Sequence, residues 1–151
     1  MTINEIQNNI IEEFEILSGD RESTIFYIME LGEKLPEFDE SQRIDKNLIK
    51  GCQSKVWLTA KAEEGKVIFS ADSNTDITKG LISLLIRVLN GQSVNDIIDA
   101  DLFFIDRIGM SQLIGSQRSN GLTSMIKQMK LFALAFSQMG LKNKTQVTND
   151  K

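Results

Sequence analysis

The sequence predicts an α+β domain, a small antiparallel sheet of two or three strands packed against several helices. Three observations carry that class. Apolar residues recur at helical spacing near both ends of the 151-residue chain. Two alternating runs flank Glu63-Glu64-Gly65 in the middle, as in a hairpin. Between the hairpin and the last helix lies a segment apolar on nearly every side, as in a central helix.

The elements follow in order. Ile3, Ile6, Ile10, Phe14 and Leu17 predict a first helix over about 3–17, with Thr2 and Glu5 as a capping box and Gly19 past its end. A second helix starts after Asp20, spans about 21–31, buries Ile25, Ile28, Met29 and Leu31, and stops at Gly32. Leu35-Pro36 begins an extended connection, because the residue before proline is driven out of the helical region. Residues 39–46 read as loop, and 47–50 as a short strand or an extended lead-in. Strands are expected over 56–62 and 66–70, and Asp72-Ser73-Asn74 closes the sheet. The central helix covers about 77–89, capped by Thr75 or Asp76 and ended by Asn90-Gly91. Ser93 and Asp96 open a short helix through 98. Residues 102–108 fit helix or strand, and 109–117 read as a loop with helical turns. Ser119 or Asn120 then caps a long helix through 136, with Leu122, Met125, Ile126, Met129, Phe132 and Phe136 inward and Gly140 ending it. One domain over 1–140 and a disordered polar tail over 141–151 are expected.

Inventory excludes much chemistry. The chain has one cysteine and no histidine. It cannot alone supply the usual N/S zinc set, the four thiolates of an iron–sulfur cluster, or a Cys–His or Ser–His nucleophile. No phosphate-binding glycine loop is present. A net charge of −4 and 7% aromatic content argue against nucleic acid. The longest apolar stretch, 81–89, is too short to span a bilayer, and the first residues lack the pattern of a signal peptide. With a lone thiol, these features fit a cytoplasmic protein.

That thiol, Cys52, lies in Gly51-Cys52-Gln53-Ser54-Lys55-Val56-Trp57-Leu58, a small-polar turn leading into a strand. The segment resembles the signature of the SufE family, sulfur acceptors for cysteine desulfurases in iron–sulfur cluster assembly. Ala71-Asp72-Ser73 followed by Lys79-Gly80-Leu81 is similar to a second block of that family. Ser111-Gln112 with Arg118-Ser119-Asn120-Gly121-Leu122 is similar to a third, and Leu31-Gly32 and Leu35-Pro36 fit upstream. The matches run in order from about 27 to 136. Leu113 stands where the family carries histidine, Ser116 where it carries proline, and Ala71 where it carries glycine. No role for that histidine transfers to this chain.

The resemblance implies a SufE/IscU-like fold and a carrier rather than an independent enzyme. Cys52 would take sulfane sulfur from the persulfide of a SufS-like desulfurase, stimulate that enzyme, and deliver the sulfur to a SufBCD-like scaffold. The chain would hold no cofactor, since the pyridoxal phosphate belongs to the desulfurase. It would act as a monomer or weak homodimer, without nucleic acid or membrane. Gly51, Gln53, Ser54 and Arg118 would support the loop, and Asp72 and Lys79 would contribute to docking. The thiolate would be favoured by Lys50, Lys55 or Arg118, by backbone N–H groups or, as the preferred source, by the partner enzyme; Gln53 and Ser54 would donate hydrogen bonds to it, and Val56 and Trp57 would anchor the loop. Cys52 is expected partly buried at rest, its loop everting on docking. The competing readings are a single-cysteine, peroxidase-like redox enzyme and an interaction domain with an inert thiol.

Overall fold

The first helix, α1 (Ile3–Glu15), begins at the expected capping box: the Glu5 N–H donates to Thr2 Oγ1 and the Thr2 N–H donates to Glu5 Oε1. It ends two residues early, with Ile16 and Leu17 in a turn. The computed structural model describes residues 1–17 and 19–142. Asp20 caps α2 (Arg21–Glu33) by accepting from the Ser23 N–H.

Gly32 does not stop α2; it lies inside it. A Cβ on Gly32 would sit 2.7 Å from the Gly80 backbone nitrogen, and one on Gly80 would collide with the Ile28 carbonyl oxygen. The two glycines therefore let α2 touch the backbone of α3 (Asp76–Leu89). Helix α3 is central, burying Leu81, Ile82, Leu84, Leu85, Val88 and Leu89 against α1, α2, the sheet and the last helix.

The connector after α2 folds into two 3₁₀ turns, Glu40–Gln42 and Asp45–Asn47, where a plain loop is expected. The expected strand at 47–50 reduces to one bridged pair, Leu48 with Trp57. The sheet thus has two antiparallel strands, β1 (Val56–Glu63) and β2 (Lys66–Ser73), in register from Val56↔Ser73 to Glu63↔Lys66. Glu64 and Gly65 both take positive φ, 52° and 80°, as the tightest hairpin turn requires. Strand β2 runs three residues past the expected end, so Asp72 lies within the ladder rather than in a closing turn. One face of the sheet buries Val56, Leu58, Val67, Phe69 and Ala71 in the core.

Beyond α3, Ser93 caps α4 (Val94–Asp99) through the Asp96 N–H. The ambiguous stretch becomes a short helix, α5 (Phe104–Ile108). Gln7, fully buried on α1, donates to the Asp101 carbonyl and accepts from the Phe104 N–H. That distant side chain meets a donor at the helix start which no local residue caps.

The expected loop with helical turns over 109–117 is helical from Met110 onward, part of α6 (Met110–Lys142), which breaks only at Gly115 (φ 86°, ψ 166°). Met110 and Ile114, one turn apart, bury there and hold the short leading turn to the core. Ser119 and Asn120 are interior helix residues, not caps. Leu122, Met125, Met129 and Ala133 form the buried stripe, flanked by the partly buried Ile126, Phe132 and Phe136. The helix passes Gly140 by two residues, and the remainder of the expected tail, 143–151, lies outside the described residues. Among the described residues no helix is long and apolar enough to cross a membrane.

Candidate functional site

Cys52 sits on a loop whose two stems are tied together. The Ile49 N–H donates to the Val56 carbonyl (2.9 Å), the Asn74 N–H to the Lys55 carbonyl (3.2 Å), and the Lys55 N–H to Asn74 Oδ1 (3.0 Å). Gly51 takes φ +94°, and a Cβ there would lie 2.5 Å from Ser124 Oγ of α6. Only glycine meets both demands. The loop is thereby pressed against α6.

The Cys52 side chain points inward and is half-buried. Its S–H donates to the Gly121 carbonyl on α6, Sγ to O 3.5 Å. A Cβ at Gly121 would lie 3.4 Å from the sulfur, so the absence of a side chain makes room for it. Burial alone pushes the thiol pKa up. A carbonyl oxygen facing sulfur also favours the protonated form, since a thiolate would be repelled.

Beside the sulfur is a cavity of about 90 Å³, lined by apolar Ile77, Leu81 and Met125 and by polar Gln53, Thr75, Gln117 and others. Ser54 Oγ lies 2.9 Å from Thr75 Oγ1 and accepts from the Thr78 hydroxyl at 3.3 Å. The expected Ser54 contact to sulfur is therefore replaced by bonds to two threonines at the start of α3. Gln53 and Lys55 are exposed. Arg118 lines the same cavity, yet its Nη1 donates to the Ile114 carbonyl at 3.4 Å. In this conformation neither Lys50, Lys55 nor Arg118 offsets the upward push on the thiol.

Val56 enters the core, but Trp57 takes the opposite face of β1. The Arg43 guanidinium stands 5.5 Å from the Trp57 ring centroid and 5.7 Å from that of Phe38. It also pairs with Glu40 Oε1 (2.9 Å) and with Asp72 Oδ2 (2.5 Å). Asp72 stands opposite Trp57 in the ladder and is 7% exposed. Lys79 Nζ lies 3.4 Å from its other oxygen, which has no hydrogen-bond partner. Burial works against charge on Asp72, but the Ser73 N–H, Arg43 and Lys79 outweigh it and hold the carboxyl below its ordinary value. Asp72 and Lys79 thus form a partly buried ion pair, with Asp72 in the ladder rather than in a closing turn.

Leu113 lines a different cavity, of about 430 Å³, with Phe14, Thr24 and Arg107. Its carbonyl accepts from Arg21 Nη2 at 2.8 Å. That cavity shares no lining residue with the one at Cys52. Sequence reasoning missed Arg43, Thr75, Thr78 and Ser124, and singled out Gly121 only as part of a motif. Their roles arise from contacts with residues 14 or more positions away, which no local pattern records. Among the described residues no three His, Cys, Asp or Glu side chains converge as a metal would require.

Fold and site define a small α+β protein that presents a single sheltered cysteine on a tied loop. Residues 8–133 match the family model described as SufE, the Fe-S metabolism associated domain. Similar chains include an uncharacterized SufE-like protein of Rhizobium meliloti strain 1021, 35% identical over 128 residues, covering 82% of this chain and 91% of the relative. A SufE-like protein of Rhizobium etli is 37% identical, with 82% and 86% covered, and one of Synechocystis sp. PCC 6803 is 38% identical, with 72% and 68% covered. The chain belongs to the SufE family, and with it to proteins associated with iron–sulfur metabolism. The solution structure of a hypothetical protein from Thermus thermophilus has the same fold at a TM-score of 0.71, with 19% identity and 86% and 94% of the two chains covered.

Proposed function

We propose that the protein is a sulfur acceptor and carrier, with Cys52 as the covalent site. The observation that carries this reading is the half-buried Cys52 thiol, held neutral against the Gly121 carbonyl beside a cavity of about 90 Å³. An inert core thiol would have no adjoining space and no loop around it that only glycine can turn. A thiol peroxidase needs a standing thiolate, and burial opposes one here.

The transfer is an exchange at sulfur. The Cys52 thiolate attacks the outer sulfur of a donor cysteine persulfide. A new S–S bond forms on Cys52, the donor S–S bond breaks, and the donor sulfur leaves as a thiolate. The proton lost by Cys52 balances the one gained by the donor, and no external oxidant or reductant enters. Docking of the donor everts the loop, breaks the S–H···O contact and releases the thiol from its buried, protonated state. A SufS-like cysteine desulfurase is the donor and a SufBCD-like scaffold the recipient, in the cytoplasm. Pyridoxal phosphate remains with the desulfurase, and the carrier has no turnover of its own. On return, the outer sulfur can enter the cavity and be shielded from reduction and over-oxidation.

Intact-mass measurement tests this. Incubation with a cognate desulfurase and cysteine should add one sulfur atom to the protein, removed by a reductant and absent in Cys52→Ser. No adduct, together with unchanged desulfurase turnover, would rule out the carrier. Peroxide consumption that depends on Cys52 would favour the redox enzyme.

A further inference from the structure

Charge is distributed unevenly along the chain. Residues 1–40 hold 11 acidic and 2 basic side chains, whereas residues 110–142, the whole of α6, hold 4 basic and none acidic. The Cys52 loop adds Lys50 and Lys55, both exposed, with no acidic residue from 47 to 62. Glu63 and Glu64 lie at the far end of the hairpin, and Asp72 is buried in its ion pairs. Exposed acidic side chains near the site are Asp76, beside the cavity-lining Thr75, and Glu40 and Asp45 on the connector that meets the strand after the loop.

Helix α6 carries this cationic surface away from the cysteine. Ser124 meets Gly51 at the loop. Lys127 and Leu131 follow it by three and seven residues, hence on the same side of the helix, with Leu131 about 10 Å along the axis. Lys127 is exposed, and Leu131 and Leu134 are 45% and 44% exposed. They are two of the six large apolar side chains that are exposed among the described residues, and they are the two on α6.

We propose that Lys50, Lys55, Arg118 and Lys127, with Leu131 and Leu134, form one docking surface for the sulfur-donating protein. The matching surface around the donor's persulfide cysteine is acidic, with an apolar contact for the two leucines. This rests on the carrier reading of Cys52: the donor's sulfur must come within bonding distance of that loop, so the donor's body lies over whatever adjoins it. Every charged side chain of the loop and of α6 is cationic in a protein of net charge −4, so carboxylates on the partner steer and orient the encounter. The leucines extend the contact past the loop and supply its apolar share.

The test compares wild type with the double variant Lys127→Glu, Leu131→Glu, neither of which touches Cys52. Each is loaded with sulfur from glutathione persulfide and, separately, from a cognate cysteine desulfurase supplied with cysteine, with intact mass as readout. Loading from the small donor should be unchanged. Loading from the desulfurase should fall about tenfold in the variant. In wild type it should weaken several-fold as ionic strength rises to about 0.5 M, where charges are screened within a few Å. Unchanged desulfurase loading in the variant overturns the docking surface. So does loss of loading from both donors, which would place the effect at Cys52. A wild-type dimer dispersed by the substitutions, with desulfurase loading intact, overturns it in favour of a second copy of the chain. Failure of wild type to load from the desulfurase removes the carrier reading itself and is distinct from each of these.

Discussion

At the scale of single residues, Cys52 is governed by what surrounds it rather than by its neighbours in sequence. Lys50 and Lys55 flank it, but their side chains lie in solvent while the sulfur turns inward toward Gly121. Exposed charges are weak across high dielectric, and burial then wins. The alkylation rate of Cys52 should rise with pH to a midpoint above the free-cysteine value of about 8.5, and a midpoint below it would contradict the neutral resting thiol. Asp72 is the opposite case, a buried carboxyl held charged by Arg43, Lys79 and the Ser73 N–H. Its depressed pKa contributes stability that is present above the unfolded carboxyl's value and lost as pH falls through the folded one. Asp72→Asn should cost about 1–3 kcal/mol near neutral pH in chemical denaturation. The difference from wild type should shrink below about pH 4. A gap that does not change with pH would mean that packing, not charge, is lost. That Cys52 lies on a loop was legible from Gly-Cys-Gln-Ser; that Arg43 would cap Trp57 and Asp72 was not, because those contacts join residues 14 and 29 positions apart.

At the scale of elements, glycines divide into those that turn the chain and those that admit a neighbour. Gly51, Gly65 and Gly115 take positive φ; the first was legible as a turn from its small-polar surroundings and the second from the alternating runs that flank it. Gly32 reads locally as a helix stop but is a contact point, since α2 and α3 meet backbone to backbone there. Gly80→Ala should destabilise the fold by about 2–4 kcal/mol, because the new methyl meets the Ile28 carbonyl oxygen rather than a flexible side chain. A thermal melt within error of wild type would show that the two helices can separate at little cost. Helix α6 shows the same limit of local signals. Its first turns, rich in Gly, Ser and Gln, read as loop; burial of Met110 and Ile114 makes them helical. Conversely the capping box of α1, the Asp20 cap of α2 and the all-round apolar α3 were legible, because each is written within a few consecutive residues.

At the scale of the whole molecule, an acidic N-terminal pair of helices and an acid-free C-terminal helix share one core, with the cysteine loop pressed on the second. The cysteine loop thus adjoins the acid-free helix, and the steering proposed above starts from that placement. What the sequence determined by itself is the fold class and the family: helices, a hairpin and helices around one thiol, with no histidine beside it. Periodicity, caps and inventory are local quantities, so they can be read from a line of residues. Only the tertiary structure decided the state of that thiol. It turned the sulfur toward Gly121, set the threonines of α3 beside it, moved Leu113 to another cavity and sank Asp72 into an ion pair. Each of these depends on which distant segments pack together, and burial, the largest influence on the Cys52 charge, exists only once they have.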